Sequence, residues 1–297
     1  MKHAYLIMVH NEPYILEKSL KLIDDERNDI YIHVDLKWKD FDFDYFKKLI
    51  KKSNLYFTKR TDVRWGTYSQ INCEMLLFEE ASKNDKYAYY HLISGVDMPL
   101  TNQDEMHKFY DKHQGKEFIC FDFHDKVLPD TIDRVKYYHI FTKHGRSKNI
   151  VIRKFNSLFY RTSMFTQRLF KVNRLKNSDI EIRKGANWIS ITDDLVRFIV
   201  NSKDEISKVY SKSLCADELF VQTLVYGSKF YKNVISKKND DYIAIKRYVD
   251  WKRGRPYTFR SADFDELINS NCFFARKFSS AVDKEIIDKI YDYVRSK

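Results

Sequence analysis

Glycine and proline are scarce in this chain of 297 residues, with 7 and 4 copies. That scarcity excludes collagen-like repeats, Pro-rich segments and Gly/Ser linkers. Cys73, Cys120, Cys215 and Cys272 lie far apart, with no CxxC pair and no metal-ligand spacing. So sparse a set predicts a reducing compartment rather than a disulfide scaffold. No apolar run approaches the roughly 20 residues that a bilayer span needs. Met1-Lys2-His3 passes at once into a strand-like run, which leaves no stretch for a secretory leader. The expectation is a cytoplasmic protein, peripheral at most to the inner face of the membrane. Also missing are GxGxxG, GxxxxGK[ST], GxSxG and HExxH. Rossmann dinucleotide, P-loop, serine-elbow and zincin chemistries therefore fall. A nucleotide bound here must be gripped by side chains rather than by a glycine-rich backbone.

What is present is apolar and basic. Hydrophobic residues make up 43% of the chain, including 22 Phe, 21 Tyr and 4 Trp, which excludes disorder. The length suits one large α/β domain or two small ones. No repeat or linker divides it, so residues 1–297 read as a single domain with insertions. The net charge of +11 favours an anionic partner: nucleic acid, acidic lipid headgroups or a diphosphate-bearing substrate. Dispersed among acids, the same lysines also read as a solubilising surface.

The run Ala4–Val9 predicts a buried strand, followed by a turn at His10-Asn11-Glu12-Pro13 and a helix carrying Ile15, Leu16, Leu20 and Ile23. Asp29–Asp35 is a second strand, so the chain opens as a βαβ unit of a parallel sheet. A helix over Tyr45–Lys52, a strand over Leu55–Thr58, a helix over Gln70–Ala81 and strands at Tyr89–Ile93 and Glu117–Phe121 continue the alternation. The stretch from Lys126 to Ser178 has weak periodicity and reads as an excursion bordering a site. Trp188–Ile191 and Ile243–Lys246 read as strands, and Asp193–Asn201, Ala216–Gly227, Phe264–Ile268 and Glu285–Val294 as helices.

Ligands of open α/β sheets sit beyond the carboxyl ends of the strands, which singles out His10, Asp35 and Asp97. Asp35 either accepts hydrogen bonds from a ribose or base, or caps its own turn. Asp97, after Gly95, either faces the site or caps the segment begun by Pro99. Asp217 and Glu218 open an apolar helix, where a carboxylate either complements the dipole or serves as a general base. Arg253, Arg255, Arg260, Arg276 and Lys277 are dense enough to clamp a diphosphate, or to form a solvated basic surface. Asp40-Phe-Asp42-Phe-Asp44 contains Asp-x-Asp twice, but alternating Phe and Asp suit a helix start better than a metal site.

Seven segments in order resemble the core-2/I-branching β-1,6-N-acetylglucosaminyltransferase family, which also includes the protein O-xylosyltransferases. They are Ala4–His10, Ile32–Asp35, Trp65–Gln70, Ser94–Leu100, Gly185–Trp188, Ala216–Glu218 and Phe274–Phe278. The resemblance implies a GT-A type fold, a mostly parallel sheet flanked by helices. It further implies inversion at the anomeric carbon, a UDP-sugar donor (N-acetylglucosamine, or xylose as the alternative) and a glycan or lipid-linked glycan acceptor. Glu218 falls on the family's catalytic base, with Ala216 replacing the usual proline. The resemblance also implies that no metal or other cofactor is needed, because Lys277 and a nearby arginine, Arg255 by its place before Pro256, carry the diphosphate. His10, Asp35 and Asp97 then belong to the donor side, and Trp65, Tyr68, Trp188 and Asp217 to sugar or acceptor subsites. On this reading residues 1–125 form the nucleotide-binding half, 126–180 a variable acceptor-side insertion, and 181–297 the half with the base and the diphosphate site. Secretory members carry anchors and disulfides, so a bacterial surface polysaccharide made at an anionic membrane is the expected setting. The rivals are a basic nucleic-acid-binding protein, for which no recognition signature is present, and a glycoside hydrolase, for which Asp217 and Glu218 make a poor pair.

Overall fold

The computed structural model describes residues 1–122, 127–140, 142, 145, 149–237 and 240–297. The N-terminal apolar run forms β1 (His3–Val9), beside which β2 (Asn28–Val34), β3 (Asn54–Phe57) and β4 (Tyr89–Ser94) all run parallel. Parallel strands covered on both faces read as unbroken hydrophobic sequence, and β2 and β4 are buried at every position. The chain then leaves this sheet through β5 (Asp97–Pro99) and returns as β6 (Ser190–Ile191), antiparallel to β4. The order is β3-β2-β1-β4-β6. An α/β fold with a mostly parallel sheet flanked by helices is borne out.

Alternation along β1 distributes its side chains to two cores. Ala4 and Leu6 join Ile71, Met75 and Phe78 of the helix Ser69–Asn84 on one face. Tyr5, Ile7 and Val9 join Leu16, Leu20 and Ile23 of the helix Pro13–Ile23 on the other. Proline at the first helical turn suits Pro13, since its missing N–H would have no helical partner there.

A second sheet, β5-β8-β7, is built from β7 (Arg247–Val249) and β8 (Phe274–Arg276) with β5. The β5–β8 register sets Asp97 opposite Arg276. Arg247 ties the two sheets together. Its guanidinium is buried and donates to the Ile189 carbonyl at 3.0 Å, to Ser190 Oγ at 3.1 Å and to the Leu92 carbonyl at 3.4 Å. The C-terminal helix Glu285–Ser296 seals the small sheet with Ile286, Ile287 and Ile290.

Four expectations change. Glu117–Phe121 is buried but makes only single bridges, Glu117 to Val234 and Phe118 to Ser190, because its neighbour β6 is two residues long. Ile243–Lys246 is not a strand: Asp240 caps the helix Asp241–Ala244 by accepting from the Tyr242 and Ile243 amides, and the strand begins at Arg247. A short apolar run does not discriminate helix from strand. Ala216–Gly227 divides into a 3-10 turn, Ala216–Glu218, and a helix, Phe220–Tyr226. Trp188 precedes β6 rather than lying in it. The middle excursion contains the helices Pro129–Lys136 and Ile150–Leu169. The boundary placed between residues 125 and 126 lies outside the described residues.

Gly185 marks a close chain crossing. A Cβ there would lie 1.9 Å from the Cys120 carbonyl oxygen, while the Gly185 amide donates to the Glu218 carbonyl at 3.0 Å. Gly185→Ala should destabilise the protein by about 3 kcal/mol or more, since backbone rather than a flexible side chain must give way. A denaturant midpoint unchanged by this substitution would refute the crossing.

Candidate active site

A cleft of about 1130 Å³ opens where β1, β2 and β4 end. Its wall carries His10 and Asn11 after β1, Asp35 and Lys37 after β2, and Ser94 and Gly95 at the end of β4. A Cβ on Gly95 would meet Val9 Cγ1 at 2.8 Å, so the bare glycine lets the β4 turn close on β1. The other side is formed by Trp65, Gln70, Asn187, Trp188 and part of the helix Ile150–Leu169. Among the described residues, the lining includes five cations, Lys37, Arg64, Arg153, Lys154 and Arg276, against one carboxylate, Asp35. A cleft so biased attracts anions.

Asp35 is buried and fills both roles allowed to it. One oxygen accepts the Lys37 amide at 2.8 Å, closing its turn, and the other pairs with Lys37 Nζ at 3.0 Å while the residue lines the cleft. Desolvation lowers the pKa of the His10 imidazole, with Asp35 opposing and Lys37 and Arg276 adding to the shift. Asp97 does not line the cleft. Its oxygens accept the Ser94 amide at 2.9 Å and Ser94 Oγ at 2.8 Å, and Oδ1 pairs with Arg276 Nη1 at 2.7 Å. The Arg276 guanidinium lies 4.5 Å from the centre of the Trp188 ring. Arg276, held between Asp97 and Trp188, is thus the cation that the second sheet delivers to the cleft. The β5–β8 register puts it there.

The other cations of the basic tail go elsewhere. Arg253 is engaged by Asp250, Asp263 and Glu266. Arg255 and Arg260 are exposed and away from the cleft wall, and half-buried Lys277 is not part of that wall either. Trp65, 58% exposed, and Trp188 both line the cleft, whereas Tyr68 lines a smaller adjoining pocket with His139 and Ser211. In the Asp40–Asp44 run, Asp42 accepts the Tyr45 amide and caps the helix Phe43–Leu49. Among the described residues, no three His, Cys, Asp or Glu side chains converge as a metal centre.

The 3-10 turn at Ala216–Glu218 lies behind Gln70. Gln70 Nε2 donates to Asp217 Oδ2 at 2.7 Å, while Asp217 Oδ1 is buried without a hydrogen-bond partner. Burial, with the adjacent Glu218 charge, pushes the Asp217 carboxyl up to about 7. Glu218 is partly exposed: Oε2 accepts from Arg134 Nη1 at 2.7 Å and lies 3.9 Å from Lys184 Nζ. It sits beside the cleft rather than on its lining, and among the described residues no side chain engages Oε1.

Beneath the floor lies Glu74, which sequence reading passed over as one turn of an apolar helix. Burial, then the charge of Asp217, pushes its carboxyl well above the usual carboxylate range, with Asn187 opposing. Neither oxygen makes a full hydrogen bond. The folded state therefore retains a proton that the unfolded chain releases above about pH 4.3. Folding stability then falls as pH rises above that value, by up to about 1.4 kcal/mol per pH unit until the folded group ionises. Glu74→Gln carries no such proton, so its melting temperature relative to the parent should climb from pH 5 to pH 8. An offset that stays constant with pH would contradict a protonated Glu74.

The α/β fold thus presents a basic, aromatic-lined cleft at the strand ends. Residues 3–269 match the family described as Core-2/I-Branching enzyme, and the chain belongs to that family. It is 24% identical over 284 residues to Xylosyltransferase sqv-6 of Caenorhabditis briggsae, covering 87% of this chain and 32% of that protein. To human Xylosyltransferase 2 it is 23% identical over 310 residues, covering 96% of this chain and 33% of the relative. The chain thus spans about a third of the length of these relatives. A solved structure of mouse xyloside xylosyltransferase 1 aligns over 93% of this chain and 97% of its own, at 9% identity and a TM-score of 0.37. No helix among the described residues is long and apolar enough to cross a membrane.

Proposed function

We propose that this protein is a GT-A type, inverting glycosyltransferase that moves a sugar from a UDP-sugar to a hydroxyl of a glycan acceptor without a metal ion. The observation that carries this reading is the engagement of Asp97 by Arg276. Asp97 is the one carboxylate in the segment where a metal-binding Asp-x-Asp would fall. Here it serves to hold a guanidinium at the cleft, and a guanidinium can neutralise a departing diphosphate directly. Glu218 takes the proton from the acceptor hydroxyl through Oε1. The hydroxyl oxygen bonds to the anomeric carbon as the bond from that carbon to the UDP oxygen breaks on the opposite side. Asp35 and His10 flank the nucleoside, and Trp65 and Trp188 offer faces for sugar rings.

N-acetylglucosamine is the donor sugar suggested by the family resemblance. Xylose is the second reading, supported by relatives named as xylosyltransferases. Thermal shift with UDP-N-acetylglucosamine, UDP-xylose and UDP alone separates the two, because a ligand that binds only the folded form raises its melting temperature. Transfer should persist in EDTA, and loss of activity on chelation, restored by magnesium or manganese, would overturn the metal-free mechanism. We place the acceptor in bacterial surface polysaccharide synthesis, on a lipid-linked intermediate at the cytoplasmic side of an anionic membrane. No disulfide joins the four buried cysteines, which fits a reducing compartment. A nucleic-acid-binding protein would lose affinity steeply with salt and ignore UDP.

A further inference from the structure

The helix Ile150–Leu169 is turned the wrong way round for a soluble protein. An amphipathic helix on a globular body normally buries its apolar stripe and wets its polar face. Here the half-buried positions are Asn156, Tyr160, Ser163, Met164 and Gln167, four polar side chains and one methionine spaced by three and four residues. Gln167 and Tyr160 hold the helix to the body. Gln167 accepts from the Tyr138 amide at 2.7 Å and donates to the Tyr138 carbonyl at 2.9 Å, and the Tyr160 hydroxyl meets His139 Nδ1 at 2.9 Å. The opposite face carries Val151, Phe155, Leu158, Phe165 and Leu169 at the same spacing. Phe155, Leu158, Phe165 and Leu169 are each 59–68% exposed, and no residue of the helix is fully buried. Phe170 extends the face at 77% exposed.

Charge selects the occupant. Lys154, Arg161 and Arg168 recur every seven residues and therefore form a row along one edge of the apolar face. From residue 134 to residue 178 the sequence contains twelve Lys or Arg and no Asp or Glu. An apolar face bordered by lysine and arginine, with low net hydrophobicity, is the composition of a helix lying in the plane of an anionic bilayer. A second copy of this chain would bring two such basic rows together and is disfavoured by their repulsion.

We propose that the exposed face of Ile150–Leu169 docks on the headgroup–acyl boundary of a membrane rich in anionic lipid. The N-terminal half of the same helix lends Arg153, Lys154, Asn156, Ser157 and Tyr160 to the cleft wall. Docking therefore lays the cleft mouth beside the bilayer, where a lipid-linked acceptor presents its sugar. The placement deepens the acceptor side of the function proposed above. Its test is read without donor or acceptor, so vesicle binding and UDP binding fail independently.

The full chain is floated with vesicles of phosphatidylcholine alone or mixed with phosphatidylglycerol. It should rise with the mixed vesicles and dissociate as salt increases. Leu158→Asp/Phe165→Asp should weaken binding by about a hundredfold, because two apolar side chains lose their place in the acyl boundary. Arg161→Glu should weaken it by about tenfold through the surface potential. Both variants should keep the parental melting temperature and UDP thermal shift, since these side chains are exposed and off the cleft wall. Equal binding by parent and double variant, or no preference for phosphatidylglycerol, would overturn the proposal. So would a dimer in sizing experiments that Leu158→Asp/Phe165→Asp abolishes while the parent ignores vesicles.

Discussion

Glu218→Gln should lower the rate of transfer by about 10²–10⁴-fold, the usual contribution of a positioned general base. Its amide oxygen still accepts from Arg134, so the partner of Glu218 Oε2 keeps a hydrogen bond and the fold changes little. What disappears is an oxygen able to take a proton from the acceptor hydroxyl. UDP should therefore raise the melting temperature of the variant as much as that of the parent. Equal loss of transfer and UDP binding would assign Glu218 a structural role and remove it from the chemistry.

The second large effect belongs to Arg276. Arg276→Ala should weaken UDP binding by about 30–150-fold, corresponding to about 2–3 kcal/mol for charge-assisted hydrogen bonds to a diphosphate. It should also destabilise the fold by about 3–5 kcal/mol, because Asp97 is left buried without its counter-charge. The two effects separate in Arg276→Ala/Asp97→Asn. Removing the orphaned charge should restore part of the stability while leaving UDP binding weak. A double variant that recovers both would show that Arg276 only staples β5 to β8. If Lys277→Ala, in parallel, lost UDP binding while Arg276→Ala retained it, the diphosphate would be placed on the neighbouring lysine instead.

Most of the parallel sheet was legible because its strands are covered on both faces, and continuous burial writes continuous hydrophobicity into β1, β2 and β4. The helices Pro13–Ile23, Asp193–Asn201 and Glu285–Ser296 each have one buried stripe, so their periodicity was equally plain. The small sheet was not legible. Strands of three residues carry no period, and the pairing of Asp97 with Arg276 joins positions 179 apart in the chain. The sequence marked Arg276 as one member of a basic cluster, but only the β5–β8 register distinguishes it from Arg255 and Lys277. Glu74 left a fainter trace, a lone acid on the inner face of an apolar helix, and its meaning depends on Asp217 across the packing. The weak periodicity of the segment around Ile150–Leu169 has a physical cause as well. Its apolar stripe is interrupted at Thr162, and Ile152, Phe159 and Met164 lie off it, which blurs the period.

Arg247 bears on how the molecule comes apart. A guanidinium whose hydrogen bonds reach Leu92, Ile189 and Ser190 from the opposite sheet cannot be released into water by unravelling one layer and sparing the other. Heating should accordingly yield a single calorimetric peak whose van't Hoff and calorimetric enthalpies coincide. Truncating Arg247 to methionine should split or broaden that peak, as the two layers lose the clasp that makes them melt in concert.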